Sequence, residues 1–330
     1  MKHRPTTRPP MAQAGQAPAI AKRTKRAKRT PRRRPPPPRR SSRGKKFFLC
    51  MLFILAIALA YHFAGDRIFP RGYAIPLEDG EIMVSFIDVG QGDSILIRSR
   101  DNAVLIDGGE HSARNVVRNY LRNAGVQRLC YVVATHPHSD HIGGLVAVLG
   151  TVEVGSVVMP DVEHNTPTFE NFLTAIENND IPITIPQPRD ILRAGIINLV
   201  VVAPPNPHPS PQGNLNNASI VLRLMHGQRS FLFTGDADAE LEAWMVQSGI
   251  NLSADVLKIG HHGSRTSTTE IFLDAVNPST AVISLGANNR HGHPHQEVID
   301  RLNERSISIL RTDQQGTIRM LSNGTDIFMR

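Results

Sequence analysis

The sequence predicts an α+β fold: two sheets packed as a sandwich with helices outside, behind a disordered basic tail and one transmembrane helix. Three observations predict it. Residues 1–46 are too rich in Arg, Lys and Pro to bury a core, residues 47–65 are almost wholly apolar, and the remainder alternates short β-rich runs with helical ones in two mixed halves of similar length.

The tail holds 17 of the 37 Lys and Arg and no acid, so the rest of the chain carries 20 bases against 29 acids. The net +8 therefore conceals a tail of +17 and a body of −9, and the basic total says nothing about what the folded part acts on. The tail reads as a solvated arm touching anionic lipid headgroups, with specific nucleic-acid binding as the alternative. Translation from Met11 or beyond would shorten it.

Phe47 to Ala64 reads FFLCMLFILAIALAYHFA between Lys45-Lys46 and Asp66-Arg67, and at about 18 to 20 residues it can just span a bilayer. The heavy basic load before it and the light one after it orient the N-terminus to the cytoplasm. This predicts a single-pass protein of the inner, cytoplasmic membrane whose body lies outside. Ala58-Leu59-Ala60 also offers a small-x-small cleavage site, so a long signal peptide competes with the uncleaved anchor; a buried core helix is the third account. Residues 66–79 then link the anchor to a body at 80–330. Cys50 and Cys130 are too far apart in character and position to pair, so no disulfide framework and no cysteine metal site are implied.

In the body, strands are expected at Ile82 to Val89, Ser94 to Arg98 and Ala103 to Ile106, separated by turn residues such as Gln91-Gly92-Asp93. A helix over Ser112 to Ala124 leads to a strand at Leu129 to Thr135. Further strands fall at Ile196 to Ala203, Ser219 to Met225, Ser230 to Thr234, Asp255 to Ile259 and Thr280 to Ser284, with helices near Ala237 to Gln247 and His295 to Arg305. No repeat is visible at the residue level. The loop Pro204 to Asn217 carries five prolines and is a candidate lid.

His136-Pro137-His138-Ser139-Asp140-His141 places four metal-competent side chains in one loop after a strand. Histidines at i and i+2 leaving a strand point the same way and can grip one ion, His136 and His138 here, while Asp140 and His141 face a second. A solvated His-rich loop is the plain alternative. Two ions need a shared anionic ligand to offset their repulsion, and Asp236, at the end of the strand Ser230 to Thr234, supplies one, although a lone Asp in that position is more often a turn residue. His261 and His262 follow another strand. His261 is expected to complete the second ion's shell and His262 to orient substrate or shuttle a proton. Asp107, before two glycines, either holds the second nitrogen of a ligand histidine or closes an Asx turn. His293, in His291-Gly292-His293-Pro294-His295, is a candidate to hydrogen-bond developing charge or protonate a leaving oxygen, or a turn residue with no role. Lys258 and Arg265 would add positive charge near an anionic substrate, or simply lie at the surface.

The HPHSDH loop is the HxHxDH signature, and the chain resembles the metallo-β-lactamase superfamily. Phe86 to Ser94, Asn216 to Leu222, Thr234 to Ala237, Leu257 to Ser264 and Gly292 to His295 are similar to the C-terminal domain of the ComEC family, the DNA-uptake channels of competent bacteria. The resemblance covers residues 80 to 330. It implies an αββα four-layer sandwich, two divalent ions (zinc or manganese), and hydrolysis of a phosphodiester, single-stranded DNA included, by a hydroxide bridging the ions. It makes Asp140, His262 and His293 the catalytic set and His136, His138, Asp140, His141, Asp236 and His261 the metal ligands. Asn217, Ser219, Ser264 and His295 lie in the shared motifs as supporting or substrate-contacting residues, beside Asp107.

Two departures stand out. Many members place a histidine where this chain has Asn216-Asn217-Ala218-Ser219, which leaves the first ion one nitrogen short and favours a weaker site or an oxygen-preferring ion such as manganese, unless His208 substitutes. The channel family also joins this domain to many membrane helices, whereas one hydrophobic segment cannot form a pore, so a separate competence channel becomes the expected partner. Asp236 in place of the cysteine ligand of many such lactamases argues against penicillin-type activity. A hydrolase of phosphorylcholine or phospholipid headgroups, and a metal-binding but non-catalytic partner of a DNA-uptake channel, are the alternatives. Between Asp107 and His295 acids and bases look interleaved, with no basic run that would mark a polymer nuclease.

Overall fold

A computed structural model of the chain describes residues 75–206 and 213–330, together with Met51. The tail at 1–46, the predicted membrane span at 47–65 apart from Met51, most of the 66–79 linker, and His208 with the middle of the proline loop lie outside the described residues. Among the described residues no helix is long and apolar enough to cross a membrane.

The first sheet contains β1 (Ile82–Phe86), β2 (Ile95–Arg98), β3 (Ala103–Ile106), β4 (Arg128–Val133), β5 (Glu153–Val158) and β6 (Ile183–Thr184). The second contains β7 (Ile191–Ala194), β8 (Ile197–Ala203), β9 (Val221–His226), β10 (Arg229–Phe233), β11 (Val256–Lys258), β12 (Thr280–Ile283) and β13 (Ser308–Arg311), after which β14 (Ile318–Ser322) and β15 (Ile327–Met329) return to the first. Spatial order is 15-14-1-2-3-4-5-6 in one sheet and 13-12-11-10-9-8-7 in the other.

Period-2 side-chain alternation assembles these sheets into layers. Val104 and Ile106 of β3 and Phe231 and Phe233 of β10 turn inward to a core shared by both sheets, where the Phe86 and Phe233 rings sit 6.2 Å apart. Their neighbours Leu105 and Leu232 turn outward. Leu105 packs in a second core with Val117 and Leu121 of the helix Arg114–Asn123 and Phe169 and Phe172 of Pro167–Asn178. Leu232 packs in a third with Leu241 of Ala239–Gln247, Phe272 of Glu270–Val276 and Val298 of Gln296–Glu304. Three cores between four layers make the α, β, β, α order that the resemblance implies.

Several elements had no sequence counterpart. β5, β6, the helix Pro167–Asn178, β7, the helix Glu270–Val276 and β13 to β15 all form where the sequence suggested nothing. The Pro167 helix does carry a local start signal, since Thr166 caps it by accepting the Phe169 N–H at 3.4 Å with Pro167 at the first position. β14 carries none. It is placed by pairing with β1, Phe86 opposite Ile318, across more than half the chain.

What positions the site is the direction of the strands. β3 and β4 run parallel, and so do β10, β11 and β12, so the carboxyl ends of each set share one edge of their sheet. The Ile220 N–H donates to the Thr135 carbonyl at 2.9 Å and ties the two edges together. Glu242, buried on the helix Ala239–Gln247, accepts the backbone N–H groups of Thr268 and Thr269 and so anchors the segment that follows His261 and His262.

Burial pushes the Glu242 carboxyl up to about 7 from its ordinary 4.5, against the pull of those donors. The folded state then binds more protons than the unfolded one between these values, so this group's contribution is largest at low pH and declines as pH rises through the window. We expect the urea-unfolding free energy of the wild type relative to Glu242→Gln to fall by about 2 to 3 kcal/mol between pH 5 and pH 8. A difference independent of pH would show that Glu242 is ionised throughout.

Candidate metal centre

The parallel ends deliver the side chains one by one. β3 releases Asp107, β4 releases Thr135 and His136, β10 leads to Asp236, β11 to His261 and His262, and β12 to Ser284. Asp107 sits in left-handed backbone (φ 56°), fully buried, with Oδ1 accepting the Thr135 N–H at 2.8 Å and Oδ2 accepting the Thr135 hydroxyl at 2.7 Å. Oδ2 also lies 2.7 Å from His141 Nδ1, and because the carboxylate only accepts, Nδ1 carries the proton and Nε2 is left as the lone pair. His262 is set in the same way, its Nδ1–H donating to the Ser284 carbonyl at 2.9 Å.

Those two free nitrogens converge on carboxylates. His141 Nε2 is 3.3 Å from Asp236 Oδ1, and His262 Nε2 is 3.3 Å from Asp140 Oδ2 and 3.5 Å from Asp236 Oδ2. One ligand atom from each of Asp140, His141, Asp236 and His262 fits within 4.8 Å of the others. Two ligands of one tetrahedral ion with bonds near 2.0 to 2.1 Å stand about 3.3 Å apart, so the spacing suits a divalent cation. His136 Nε2 and His138 Nδ1 lie 3.0 Å apart, with Asp236 Oδ2 3.8 Å from the former, a second donor set sharing the same aspartate.

Buried polar atoms are normally partnered. Here His141 Nε2, His262 Nε2 and Asp236 Oδ1 are buried with no hydrogen bond, which is what a set of metal donors looks like. The electrostatics agree. Burial disfavours the charged imidazolium of His262, but Asp236, then Asp140 and Asp93, overcome it and push its pKa up to about 10. Burial likewise opposes the ionisation of Asp236, yet His141 and His262 hold its carboxyl well below the usual carboxylate range. The carboxylates demand positive charge, from protonated histidines or from cations that would replace those protons.

The histidine pair is arranged the other way round from the sequence expectation. His262, not His261, enters the four-residue cluster. Both residues adopt left-handed backbone (φ 47° and 54°), and the turn swings His261 to the rim, where its Nδ1 meets Asp238 Oδ1 at 3.0 Å and its Nε2 stays 3.9 Å from Asp236. No nitrogen arrives from 216–219: Asn216 turns to Asp238 at 3.2 Å, Asn217 to Glu240 at 3.0 Å, and the Ser219 hydroxyl accepts the Asp236 N–H at 3.0 Å while lying 3.4 Å from His136 Nδ1. Ser264 bonds Thr266 across a tight turn, and His295 Nδ1 accepts the Arg265 N–H at 3.1 Å, so both shape the loop beside the histidines. His293 stands 5.6 Å from the His261 ring and 6.4 Å from His262, and its buried Nδ1 has no partner. Burial, then the charge of His262 and His261, pushes its pKa down to about 4.

Lys258 is not at a substrate surface. It is wholly buried, its ammonium 2.7 Å from Asp93 Oδ2 and 2.8 Å from the Ile259 carbonyl. Arg265 is exposed and paired with Glu297 at 3.3 Å. Sequence reasoning passed over Asp93 as a turn residue. It lies behind the centre, Oδ1 3.4 Å from His262 Nδ1, and a side chain at its neighbour Gly92 (φ 122°) would collide with the Asp140 carbonyl. A glycine obliged to touch the HPHSDH loop was the available signal. His164, also not singled out, packs edge-on to His138 at 5.9 Å.

An αββα sandwich with this donor cluster at its edge defines a class, and the comparison with known families agrees: residues 87–287 match the model described as the metallo-beta-lactamase superfamily, and the chain belongs to it. Among its curated relatives are competence proteins. It is 35% identical over 265 residues to ComE operon protein 3 of Bacillus subtilis, covering 75% of this chain and 34% of that protein. It is 33% identical over 253 residues to competence protein ComA of Neisseria gonorrhoeae, covering 76% and 33%. The chain thus spans about a third of the length of these relatives. Among solved structures, a variant of the β-hydroxylase CmlA superimposes with a TM-score of 0.50 at 15% identity, covering 75% of this chain and 54% of that one, a likeness of fold alone.

Two outcomes follow from the geometry. His262→Ala should lower bound metal by about one ion per chain, while His261→Ala keeps the wild-type content, as read by elemental analysis after dialysis; the opposite pattern would restore His261 as the ligand. Lys258→Met leaves the buried Asp93 carboxylate without its partner and should cost about 3 to 5 kcal/mol in chemical unfolding, much of it recovered in the Asp93→Asn, Lys258→Met double variant. No recovery would mean that Lys258 acts through packing.

Proposed function

We propose that this chain is a membrane-anchored, extracytoplasmic hydrolase that cleaves phosphodiester bonds, with DNA as substrate, at a centre of two divalent cations, zinc or manganese. One observation carries the reading: buried donor atoms of His141, His262 and Asp236, each without a partner, converge on one point. The competence relatives supply the polymer, and a separate competence channel is the partner this reading calls for. The anchor is the apolar run at 47–65, with the basic residues before it on the cytoplasmic side.

When bound, the cations would supply a water acidified toward neutrality and a Lewis acid for a phosphoryl oxygen. The chain's own residues do the rest. Asp236 offers one oxygen toward His141 and the other toward His136 and His262, so it serves both donor sets. Asp140 joins them from the HPHSDH loop, its Oδ2 3.3 Å from His262 Nε2, and would complete the ligand set of the ion held by His141 and His262. Asp107 and the Ser284 carbonyl hold His141 and His262 in the tautomer that leaves Nε2 free. His293 is neutral near pH 7 and orients the phosphoryl or leaving oxygen by hydrogen bonding rather than as a strong acid. His261, at the rim, a quarter exposed and tied to Asp238, reaches solvent where the buried His262 does not, and takes over the proton shuttling expected of His262.

The test uses the full chain in detergent, stripped of metal and reloaded with manganese or zinc, against single-stranded DNA and bis(p-nitrophenyl) phosphate, beside Asp236→Asn. We expect both substrates to be cut and the variant to lose about a hundredfold or more. Cleavage of the small diester with DNA intact would replace DNA by a smaller envelope substrate. No metal-dependent turnover of either would remove the hydrolase reading.

A further inference from the structure

The helix Arg114–Asn123 reads RNVVRNYLRN, an Arg-Asn pair recurring every four residues. Four residues advance about 6 Å along a helix and about 40° around it, so Arg114, Arg118 and Arg122 form one slowly turning row on the outer surface. Val117 and Leu121 bury the neighbouring face, about 80° around the helix, so the row runs along the flank of the buried stripe with Arg114 partly covered. Arg118 and Arg122 are exposed and Arg114 half-buried. From His111 to Ser139 the chain contains no acid and four arginines, a basic run that the interleaved pattern of the whole body conceals.

The row is unusual in what it lacks. Among the described residues no carboxylate lies within ion-pair distance of any of the three guanidinium groups, whereas Arg128, just beyond the helix, is paired with Glu153 at 2.9 Å. Their contacts are neutral. Arg114 Nη1 donates to the His111 carbonyl at 3.0 Å, Arg118 Nη2 to Asn115 Oδ1 at 2.9 Å, and Arg122 Nη2 to Asn119 Oδ1 at 3.0 Å. Asparagine is a poor helix former, while Glu at those positions would favour the helix and neutralise the row. An asparagine instead braces Arg118 and Arg122, as a backbone carbonyl braces Arg114, and leaves the charge and other donors free. Like charges four apart and an arginine in the first turn, against the helix dipole, both weaken the helix. The arrangement makes physical sense when a line of negative charges lies along it.

The row also starts beside the metal centre. The Gly108 N–H donates to the His141 carbonyl at 2.7 Å and the Gly144 N–H to the Gly109 carbonyl at 2.8 Å, so the loop that opens the helix is hydrogen-bonded to the ligand loop. We propose that Arg114, Arg118 and Arg122 form a track for the phosphate backbone of a single-stranded nucleic acid, running from the helix's outer surface toward the metal centre. A single row about 6 Å in step suits one extended strand, whose successive phosphates are similarly spaced, better than the paired rows of a duplex. The inference rests on the phosphodiesterase reading for the identity of the polymer.

The experiment is arginine footprinting of the metal-free full chain held in phosphatidylcholine nanodiscs without detergent, where no cleavage occurs. Phenylglyoxal modification of Arg114, Arg118 and Arg122 is mapped by mass spectrometry with a single-stranded oligothymidylate, with phosphatidylglycerol vesicles, and with neither. The oligonucleotide should slow modification of Arg118 and Arg122 about fivefold or more, with Arg265 unaffected. The full-chain variant Arg114→Gln, Arg118→Gln, Arg122→Gln keeps the basic tail, so its contribution is common to both proteins. The slope of log affinity against log salt should fall in the variant by about 2, at about 0.7 for each phosphate that an arginine neutralises. No protection by the oligonucleotide, protection by vesicles alone, or an unchanged salt slope would overturn the track. Protection in a chain that hydrolyses nothing leaves the track and removes the phosphodiesterase; hydrolysis without protection does the reverse.

Discussion

The structure depends on a concentration of negative charge in a place with little water. Asp107, Asp140 and Asp236 converge where parallel strands end at the edges of two sheets, and Asp93 lies behind them. Carboxylates brought this close are stable only beside positive charge. Lys258 balances Asp93 permanently, because both are sealed in the core. The remainder is left to His141 and His262, or to metal, and that division separates a fixed ion pair from an exchangeable one.

The same need explains the tautomers. Each histidine of the cluster spends one nitrogen on a fixed acceptor, Asp107 for His141 and the Ser284 carbonyl for His262, and presents the other. Ring orientation is thereby settled by the packed core rather than by the metal, so the site is built in advance of its cofactor. The acceptors come from β3 and β12, one in each sheet, so the site is a property of the sandwich as a whole.

Charge is also sorted in space. Acids gather at the centre, and the helix leaving the Asp107 loop carries arginines braced by asparagines without a carboxylate within reach. A body with net charge −9 can hold such a row because helical spacing collects one residue in four on a single line. Averages along the chain conceal what a helix surface reveals.

The sequence by itself determined the class. HPHSDH, Asp236 and the two histidines after β11 are legible because metal ligation needs particular side chains at short spacing, and most strands that end at the donor cluster are legible because β-branched runs bounded by turns are local signals. The tertiary structure decided which histidine of the adjacent pair reaches the cluster, since that turns on two left-handed residues and a carbonyl from β12. It also decided that Lys258 faces a buried Asp93, that no nitrogen enters from 216–219, and that β14 completes the first sheet beside β1. These are contacts between residues far apart in the chain. No local pattern encodes them, because they depend on how two sheets close over a common core.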